Sequence, residues 1–220
     1  MATKNQEDYL ETIFHLESEG KTPTTQDIAQ HLKISPASVS ENLKKLAKEE
    51  LVKHSPYKGV ALTLKGKNIA VDVVRRHRLA ERFLVDKLGL KWEKVHEEAH
   101  KIEHGISKVV GNKLYEVLGK PKTCPHGNPL PDAKGHIKEE RSYPLNTLQK
   151  NDKAKIVKIT DEDPKLLCYL ATLGLMPKMK IRIEEKAPFD GPIMVRIGEA
   201  TYALGKKIAE SIWVKKYEQE

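Results

Sequence analysis

Residues 96–104 combine three histidines and three glutamates in the stretch HEEAHKIEH. Imidazole nitrogens and carboxylate oxygens are donors with which proteins bind divalent transition-metal ions. Within this stretch, HKIEH also matches the H-x-x-E-H pattern of one class of zinc hydrolases. In that class the two histidines bind zinc and the glutamate is the general base. The stretch therefore predicts a catalytic metal site, a regulatory metal site or a solvated charged face.

Helical periodicity places these donors together. Successive side chains of an α-helix are about 100° apart around its axis. On one continuous helix, an arc of about 100° would therefore contain His96, His100, Glu103 and His104. They border an apolar stripe made of Val95, Ala99, Ile102, Ile106 and Val109. A second helical segment, RRHRLAERFL, places His77 and Glu81 at i and i+4 on one face. Two such clusters close along the chain favour a metal site over a merely solvated surface.

The elements that must position these residues fall into three segments. Residues 1–72 have helical periodicity followed by a short β-like stretch, and residues 73–145 are helical and end in the Pro/Gly-rich linker GKPKTCPHGNPLPDAKGH. Residues 146–220 alternate as short strands between turns, which is typical of a small barrel. The predicted fold class is mainly α with a small β-barrel.

The first segment contains a DNA-binding pattern, TTQDIAQHLKISPASVSENLKKLAKEELV, which predicts two helices joined by a tight turn. Thr24 or Thr25 would cap the first helix, and Ser35 the second. A strand–turn–strand wing follows, and residues 33–67 hold eight lysines but three glutamates. The residues predicted to contact DNA are Ser35, Pro36, Ala37, Ser38, Ser40, Glu41, Lys44, Lys45, Lys53 and Lys58.

Composition sets broader bounds. The chain has 220 residues, a formal net charge of +8 and two cysteines, which suits an anionic partner and a reducing compartment. Without a signal peptide or an apolar run of membrane-spanning length, we expect a cytoplasmic protein with no membrane association. Cys124, two residues from His126 in an open loop, is a candidate ligand. Cys168, in an apolar run, is expected to be buried.

The sequence resembles the metal-dependent transcriptional repressors of the diphtheria toxin repressor and manganese repressor family. The motifs that match are EDYLETIFHLESEG, IAQHLKISPASVSENLKKLAKEELV, LTLKGKNIA, HRLAERFL, HEEAHKIEH, CPHGNPLP, LATLGLMPKMKIRI, APFDGPIMVRI and ALGKKIAESIWV. The resemblance implies a winged helix-turn-helix domain in 1–72, a helical metal-binding and dimerisation domain in 73–145, and a FeoA-like, SH3-type domain in 146–220. It further implies a homodimer that binds double-stranded operator DNA with two-fold symmetry.

The resemblance also implies metal ligands. The primary site would use Asp8, His100, Glu103 and His104. A second site would draw on His77, Glu81 and His96, or on Glu81, Cys124, His126 and Asp161, with Glu162 as a rival of Asp161. Glu11 and His77 are possible additions to the primary site.

The cognate metal is predicted from the donors. Carboxylates favour Mn²⁺, whereas imidazoles move the preference toward Fe²⁺ and beyond, so Fe²⁺ is favoured and Mn²⁺ is the alternative. Zn²⁺ or Co²⁺ could bind in vitro. Two other functional classes remain: a zinc hydrolase that uses H-x-x-E-H, and a DNA-binding adaptor that needs no metal.

Overall fold

The computed structural model describes residues 2–18, 20, 22–55 and 59–217. The chain forms two compact units. The first contains Met1–His77, Glu103–Lys108 and Pro131–His136, and the second contains Arg78–Ile102, Val109–Leu130 and Ile137–Glu220. Helix α4 belongs to the first unit up to His77 and to the second from Arg78.

The first unit is mainly helical. Its elements are α1 Lys4–Ser18, α2 Thr25–Leu32, α3 Pro36–Lys48, β1 Val52–Ser55, β2 Gly59–Leu62, the first part of α4 Leu64–Asp86, and a short 3-10 helix Glu103–Gly105. The core includes the fully buried side chains of Leu10, Ile13, Ile28, Val39 and Leu43. These positions recur at helical spacing, so the burial of one face fixes each helix.

The helix-turn-helix forms where the sequence predicts it. Thr24, not Thr25, caps α2, since its hydroxyl accepts the N–H of Asp27 and the Asp27 carboxylate accepts the N–H of Thr24. Ser35 caps α3 by accepting the N–H of Ser38, and Pro36 occupies the first turn. Strands β1 and β2 then pair antiparallel as the predicted wing.

The second unit combines helices with a sheet. Its elements after Arg78 of α4 are α5 Val95–Ile102, α6 Lys108–Val117, β3 Tyr143–Pro144, a 3-10 helix Leu145–Thr147, β4 Lys153–Ile159, α7 Pro164–Thr172, β5 Lys180–Lys186, β6 Ile193–Ile197, β7 Ala200–Leu204, α8 Lys206–Ser211 and β8 Ile212–Lys216. The six strands form an antiparallel sheet in the order β3-β8-β4-β5-β6-β7.

The core of the second unit lies against this sheet. Ile156 pairs with Val214 and Ile183 with Val195, and all four side chains are buried. Trp92, from the loop between α4 and α5, joins the same core and is 7% exposed. The sheet core therefore includes a residue that lies far upstream of the strands.

Two expectations from the sequence are wrong. The helix that carries His96 and His100 does not continue through His104: α5 ends at Ile102, and Glu103 and His104 lie in a 3-10 helix. The expected apolar stripe is broken with it, since Val109 is 74% exposed. Cys168 is exposed rather than buried, because its neighbours Leu167 and Leu170 occupy the inward face of α7.

In the described part of the chain, no helix has the length and apolarity needed to cross a bilayer.

Gly66 is required where α4 begins beside the wing. A Cβ at this position would lie 2.0 Å from the carbonyl oxygen of Leu51, which is backbone and accepts the N–H of Thr63. We expect Gly66→Ala to lower the free energy of unfolding by about 1–3 kcal/mol through overpacking. Gly105→Ala is the control, since a Cβ there meets nothing within 4 Å. Equal denaturation midpoints for both variants would contradict this interpretation.

Candidate metal centre

The first unit holds a cluster of acidic and imidazole side chains that we call the first cluster. Its members are Asp8, Glu11, His77, Glu103 and His104. Helix α1 supplies the first two, α4 supplies His77, and the 3-10 helix supplies the last two. Three separate elements of one unit therefore bring their donors together.

Short contacts connect the first cluster. Nε2 of His104 lies 2.9 Å from Oδ1 of Asp8 and 3.2 Å from Oε1 of Glu103. Nδ1 of His77 lies 2.5 Å from Oε2 of Glu103. Donor atoms of Glu11, His77 and Glu103 also lie within 4.8 Å of one another. Glu103 thus faces an imidazole on each of its two oxygens.

The contacts of the first cluster are strong because its side chains are largely buried, where water screens charges little. Glu103 is fully buried, and Glu11 and His77 are 7% and 6% exposed. Burial tends to raise the pKa of Glu11, but the hydrogen bond to His15 and the nearby imidazoles outweigh this and lower its pKa, against repulsion from Glu103. A carboxylate held as an anion in the interior needs a cationic partner. A divalent cation fits this donor set, which has oxygen and nitrogen ligands and no sulfur.

Two residues beside the first cluster were missed by the sequence analysis. Glu7 places one carboxylate oxygen 2.6 Å from Nδ1 of His104 and the other 2.7 Å from NH2 of Arg76. Arg76 also contacts Asp72 and donates to the carbonyl oxygen of Glu103. In the sequence, Glu7 precedes Asp8 and Arg76 precedes His77, and this adjacency is the only sign that they lie near the site. It does not predict a shared contact, because neighbouring residues on a helix point in different directions.

The second unit holds the second cluster, whose members are Glu81, His96, Cys124, His126 and Glu162. Nδ1 of His126 lies 3.1 Å from Oε1 of Glu81 and 3.6 Å from Oε1 of Glu162. Nδ1 of His96 lies 2.5 Å from Oε2 of Glu162 and 3.5 Å from Oε1 of Glu81. The thiol of Cys124 adds a sulfur donor within 4.8 Å of the donors of Glu81, His126 and Glu162.

The CPHG loop positions the second cluster. Gly127 has φ +89°, and a Cβ there would lie 2.1 Å from the carbonyl oxygen of Val157, so glycine is needed for both reasons. Nε2 of His126 lies 2.8 Å from the carbonyl oxygen of Trp92, which turns Nδ1 toward the carboxylates. The side-chain amide of Asn128 donates to Glu162 at 2.7 Å.

Protons compete with a metal at the second cluster. Burial tends to lower the pKa of His126, but hydrogen bonds with Cys124 and Glu81 and the charge of Glu162 together raise it to about 12. Burial raises the pKa of the Cys124 thiol, and the charge of Glu81 adds to this. Burial tends to raise the pKa of Glu162 too, yet His96 and His126 lower it. In the metal-free chain the imidazole of His126 is therefore a cation between two carboxylates.

The predicted ligands are placed as follows. Asp8, Glu103 and His104 meet in the first unit, together with Glu11 and His77. His100 lies on α5 in the second unit and is exposed. Among the described residues, Asp161 is not part of a donor group, and its Oδ1 accepts the N–H of Asp163. Glu162, its rival, supplies the carboxylate of the second cluster.

The predicted DNA-contacting face is largely exposed. Along α3 and its cap the exposed residues are Ser35, Pro36, Ala37, Ser38, Glu41, Lys44 and Lys45, and Ser40 is half-buried. Lys53 on β1 is exposed, and Lys58 lies outside the described residues. Lys45 pairs with Glu41 at 2.9 Å, one turn apart. The helix offers small polar groups at its start and lysines further along, as major-groove recognition requires.

Comparison with known protein families gives three matches along the chain. Residues 1–60 match the iron dependent repressor N-terminal DNA binding domain, and residues 63–132 match the iron dependent repressor metal binding and dimerisation domain. Residues 143–216 match the FeoA domain. These matches agree with the predicted fold class of a winged helix-turn-helix, a helical domain and a C-terminal SH3-like domain.

Individual relatives are similar over nearly the whole chain. The iron-dependent repressor IdeR of Mycobacterium leprae (strain TN) is 34% identical over 220 residues, covering 94% of this chain and 95% of that protein. A solved manganese-dependent transcriptional repressor in complex with manganese superposes with a TM-score of 0.89 at 34% identity, covering 96% of this chain and 100% of that one. The crystal structure of T. acidophilum IdeR has a TM-score of 0.82 at 30% identity, covering 99% of each chain.

We expect the second cluster to release protons when it binds a divalent ion. His126 and Cys124 both hold a proton near neutral pH, and a ligand must give it up. The affinity should therefore rise with pH by about tenfold per pH unit for each proton displaced. Zn²⁺ calorimetry in buffers of different ionisation enthalpy counts the protons, and Cys124→Ser should remove one. A proton count that is unchanged in Cys124→Ser would exclude the thiol as a ligand.

Proposed function

Because the chain belongs to the diphtheria toxin repressor family of metal-dependent transcriptional repressors, we propose that a divalent metal ion converts it to an operator-binding form. Members of the family are repressors and not enzymes, so the hydrolase interpretation of H-x-x-E-H is set aside. The proposed role is control of metal-homeostasis genes in the cytoplasm.

One observation carries the proposal: the first cluster joins the DNA-binding domain to the metal-binding domain. Asp8 lies on α1, within the segment matching the DNA-binding domain, and Glu103 and His104 lie within the segment matching the metal-binding domain. Their donor atoms lie within 4.8 Å of one another. An ion held there neutralises two carboxylates that otherwise repel each other, and it holds α1 against the 3-10 helix. The ion thereby favours one arrangement of the DNA-binding domain over others.

We assign the primary ligands as Asp8, His100, Glu103 and His104. The contacts among Asp8, Glu103 and His104 support this set, and the family resemblance adds His100. Glu11 and His77 are positioned to extend the set toward a second ion beside it. For the second site we assign Glu81, Cys124, His126 and Glu162, with His96 at its edge and Glu162 in place of Asp161.

The metal that we propose is Fe²⁺, with Mn²⁺ as the alternative. Among the similar proteins, one is named for iron and another was solved with manganese. The donors Asp8, His100, Glu103 and His104 combine two carboxylates with two imidazoles. Imidazoles shift preference from Mn²⁺ toward Fe²⁺, and affinity continues to rise toward Zn²⁺ and Co²⁺ in vitro irrespective of the physiological signal.

The partners that we propose are a second copy of the chain and double-stranded operator DNA. Helix α6, within the segment matching the dimerisation domain, exposes an apolar surface, with Val109, Val110 and Val117 exposed by 74%, 47% and 60%. Contiguous exposed apolar side chains on a helix are typical of a surface that another chain covers. In a symmetric dimer, the two α3 helices would read two half-sites of one operator.

Glu103→Gln should abolish metal-activated operator binding while the dimer persists. The amide keeps the size of the side chain but removes the buried negative charge that faces the ion. Loss of a residue that only orients a metal ligand already costs about 10- to 100-fold in metal affinity, so loss of a ligand itself should cost more than about 100-fold. The DNA probe is a duplex selected from random sequences by the wild-type protein in the presence of Mn²⁺. Binding of each variant to this duplex is then measured with and without chelator.

Glu98→Gln is the matched control, since Glu98 lies in the same stretch and pairs with the side chain of Lys101 at 2.6 Å. Normal metal dependence in Glu103→Gln would refute the primary-site assignment. Operator binding by the wild-type protein that survives chelation would favour the metal-independent adaptor instead.

Fe²⁺ and Mn²⁺ should both activate operator binding, with Fe²⁺ effective at the lower free concentration. The measurement is anaerobic operator binding with each ion buffered near its cellular free concentration, together with repression in cells starved of each metal. Full activation by Mn²⁺ with no response to Fe²⁺ would make the iron assignment wrong and leave Mn²⁺ as the signal.

A further inference from the structure

We propose that Glu7 is a positioning residue that orients the imidazole of His104 toward the metal ion. This inference rests on the proposed function of the first cluster, and it adds a residue outside the ligand set. The role requires that Glu7 contact His104 on the nitrogen that does not face the other donors, and that Glu7 itself be held in place.

The two oxygens of Glu7 have separate partners. Oε2 lies 2.6 Å from Nδ1 of His104, and Oε1 lies 2.7 Å from NH2 of Arg76. The side chain of Glu7 is 14% exposed and those of His104 and Arg76 are 11% and 9% exposed, so water competes little for these contacts. A carboxylate that is engaged on both oxygens is poorly placed to bind an ion directly, and among the described residues Glu7 is not in a donor group.

This contact selects the tautomer of His104. A neutral imidazole has one N–H, and an ionised carboxylate can accept but cannot donate a hydrogen bond. Glu7 therefore holds the proton on Nδ1. The lone pair is then on Nε2, the nitrogen that faces Oδ1 of Asp8 at 2.9 Å and Oε1 of Glu103 at 3.2 Å. Such a carboxylate–histidine pair fixes the ring orientation and makes the imidazole a better ligand.

Arg76 holds Glu7 in turn. Its Nε lies 3.1 Å from Oδ2 of Asp72, and its NH1 donates to the carbonyl oxygen of Glu103 at 3.0 Å. One guanidinium thus connects α1, α4 and the 3-10 helix that carries His104. Since a guanidinium has donors only, the atom of residue 7 that faces it must be an acceptor.

That restriction makes two substitutions informative. In Glu7→Gln, the amide oxygen must face Arg76, so the NH2 group faces Nδ1 of His104 and moves the imidazole proton to Nε2. In Glu7→Met, the side chain has similar length but neither donates nor accepts strongly, so both tautomers remain accessible. The two variants lose the same charge beside Arg76, and they differ in what they offer to His104.

The test is Mn²⁺ binding to the full-length protein, measured by the electron paramagnetic resonance of the unbound ion, alongside the melting temperature in chelator. Asp8→Asn identifies which binding step belongs to the first cluster. At that step we expect both Glu7 variants to lose about 10- to 100-fold in affinity, and Glu7→Gln to lose at least as much as Glu7→Met. In chelator, by contrast, Glu7→Gln should melt at a higher temperature than Glu7→Met, because glutamine retains the hydrogen bond to Arg76.

Glu17→Gln is the control, since Glu17 is a carboxylate on the same helix whose Oε1 accepts the N–H of Leu62. It should leave Mn²⁺ affinity unchanged. Wild-type affinity in Glu7→Gln, or a smaller loss than in Glu7→Met, would overturn the positioning role. If Asp8→Asn alters no binding step, the proposed function of the cluster itself fails, which is a separate result.

Discussion

The interior of the first unit contains more carboxylates than permanent cations can neutralise, and much of the site follows from that constraint. Arg76 is permanently charged, but it is engaged by Glu7 and Asp72. Asp8, Glu11 and Glu103 therefore face imidazoles, which carry a positive charge only when they are protonated. An unpaired buried carboxylate costs several kcal/mol in order-of-magnitude terms. A divalent ion reduces this cost. The excess of negative charge that destabilises the metal-free fold is therefore also what favours binding of the ion.

The carboxylates Asp8 and Glu11 can be held in this way because they lie on a helix whose other face is buried. Helix α1 packs Leu10 and Ile13 into the core and presents Glu7, Asp8 and Glu11 on the side toward α4. The spacing of the carboxylates is thus set by the helix and not by a loop. In the second cluster the CPHG loop takes part, but Gly127 is packed tightly against the backbone of Val157. Within each element, therefore, the backbone sets the spacing of the donors, and the ion acts on how the elements are held together.

Local rules in the sequence predicted a large part of this arrangement. The cap of α3 at Ser35, its inward residues and the wing follow from turn chemistry and helical periodicity, and the donors His77 and Glu103 follow from residue type. The break after Ile102 was not predictable from periodicity, since HEEAHKIEH reads as helix throughout and tertiary contacts decide where α5 ends. The choice of Glu162 over Asp161 depends on which neighbour points to His126 and His96. The role of Arg76 and Glu7 depends on contacts between residues 69 positions apart.

The two clusters compensate buried carboxylates in different ways, and this difference bears on how each responds to metal. In the second cluster, His126 with a raised pKa already places a positive charge between Glu81 and Glu162. An ion that enters there replaces a proton, so part of the electrostatic gain is offset by the charge that leaves. In the first cluster, Glu7 and Arg76 form a pair of opposite charges that orients His104 without neutralising Asp8 or Glu103. The negative potential at Asp8 and Glu103 is left for the ion itself, so a smaller part of the electrostatic gain is offset there than in the second cluster.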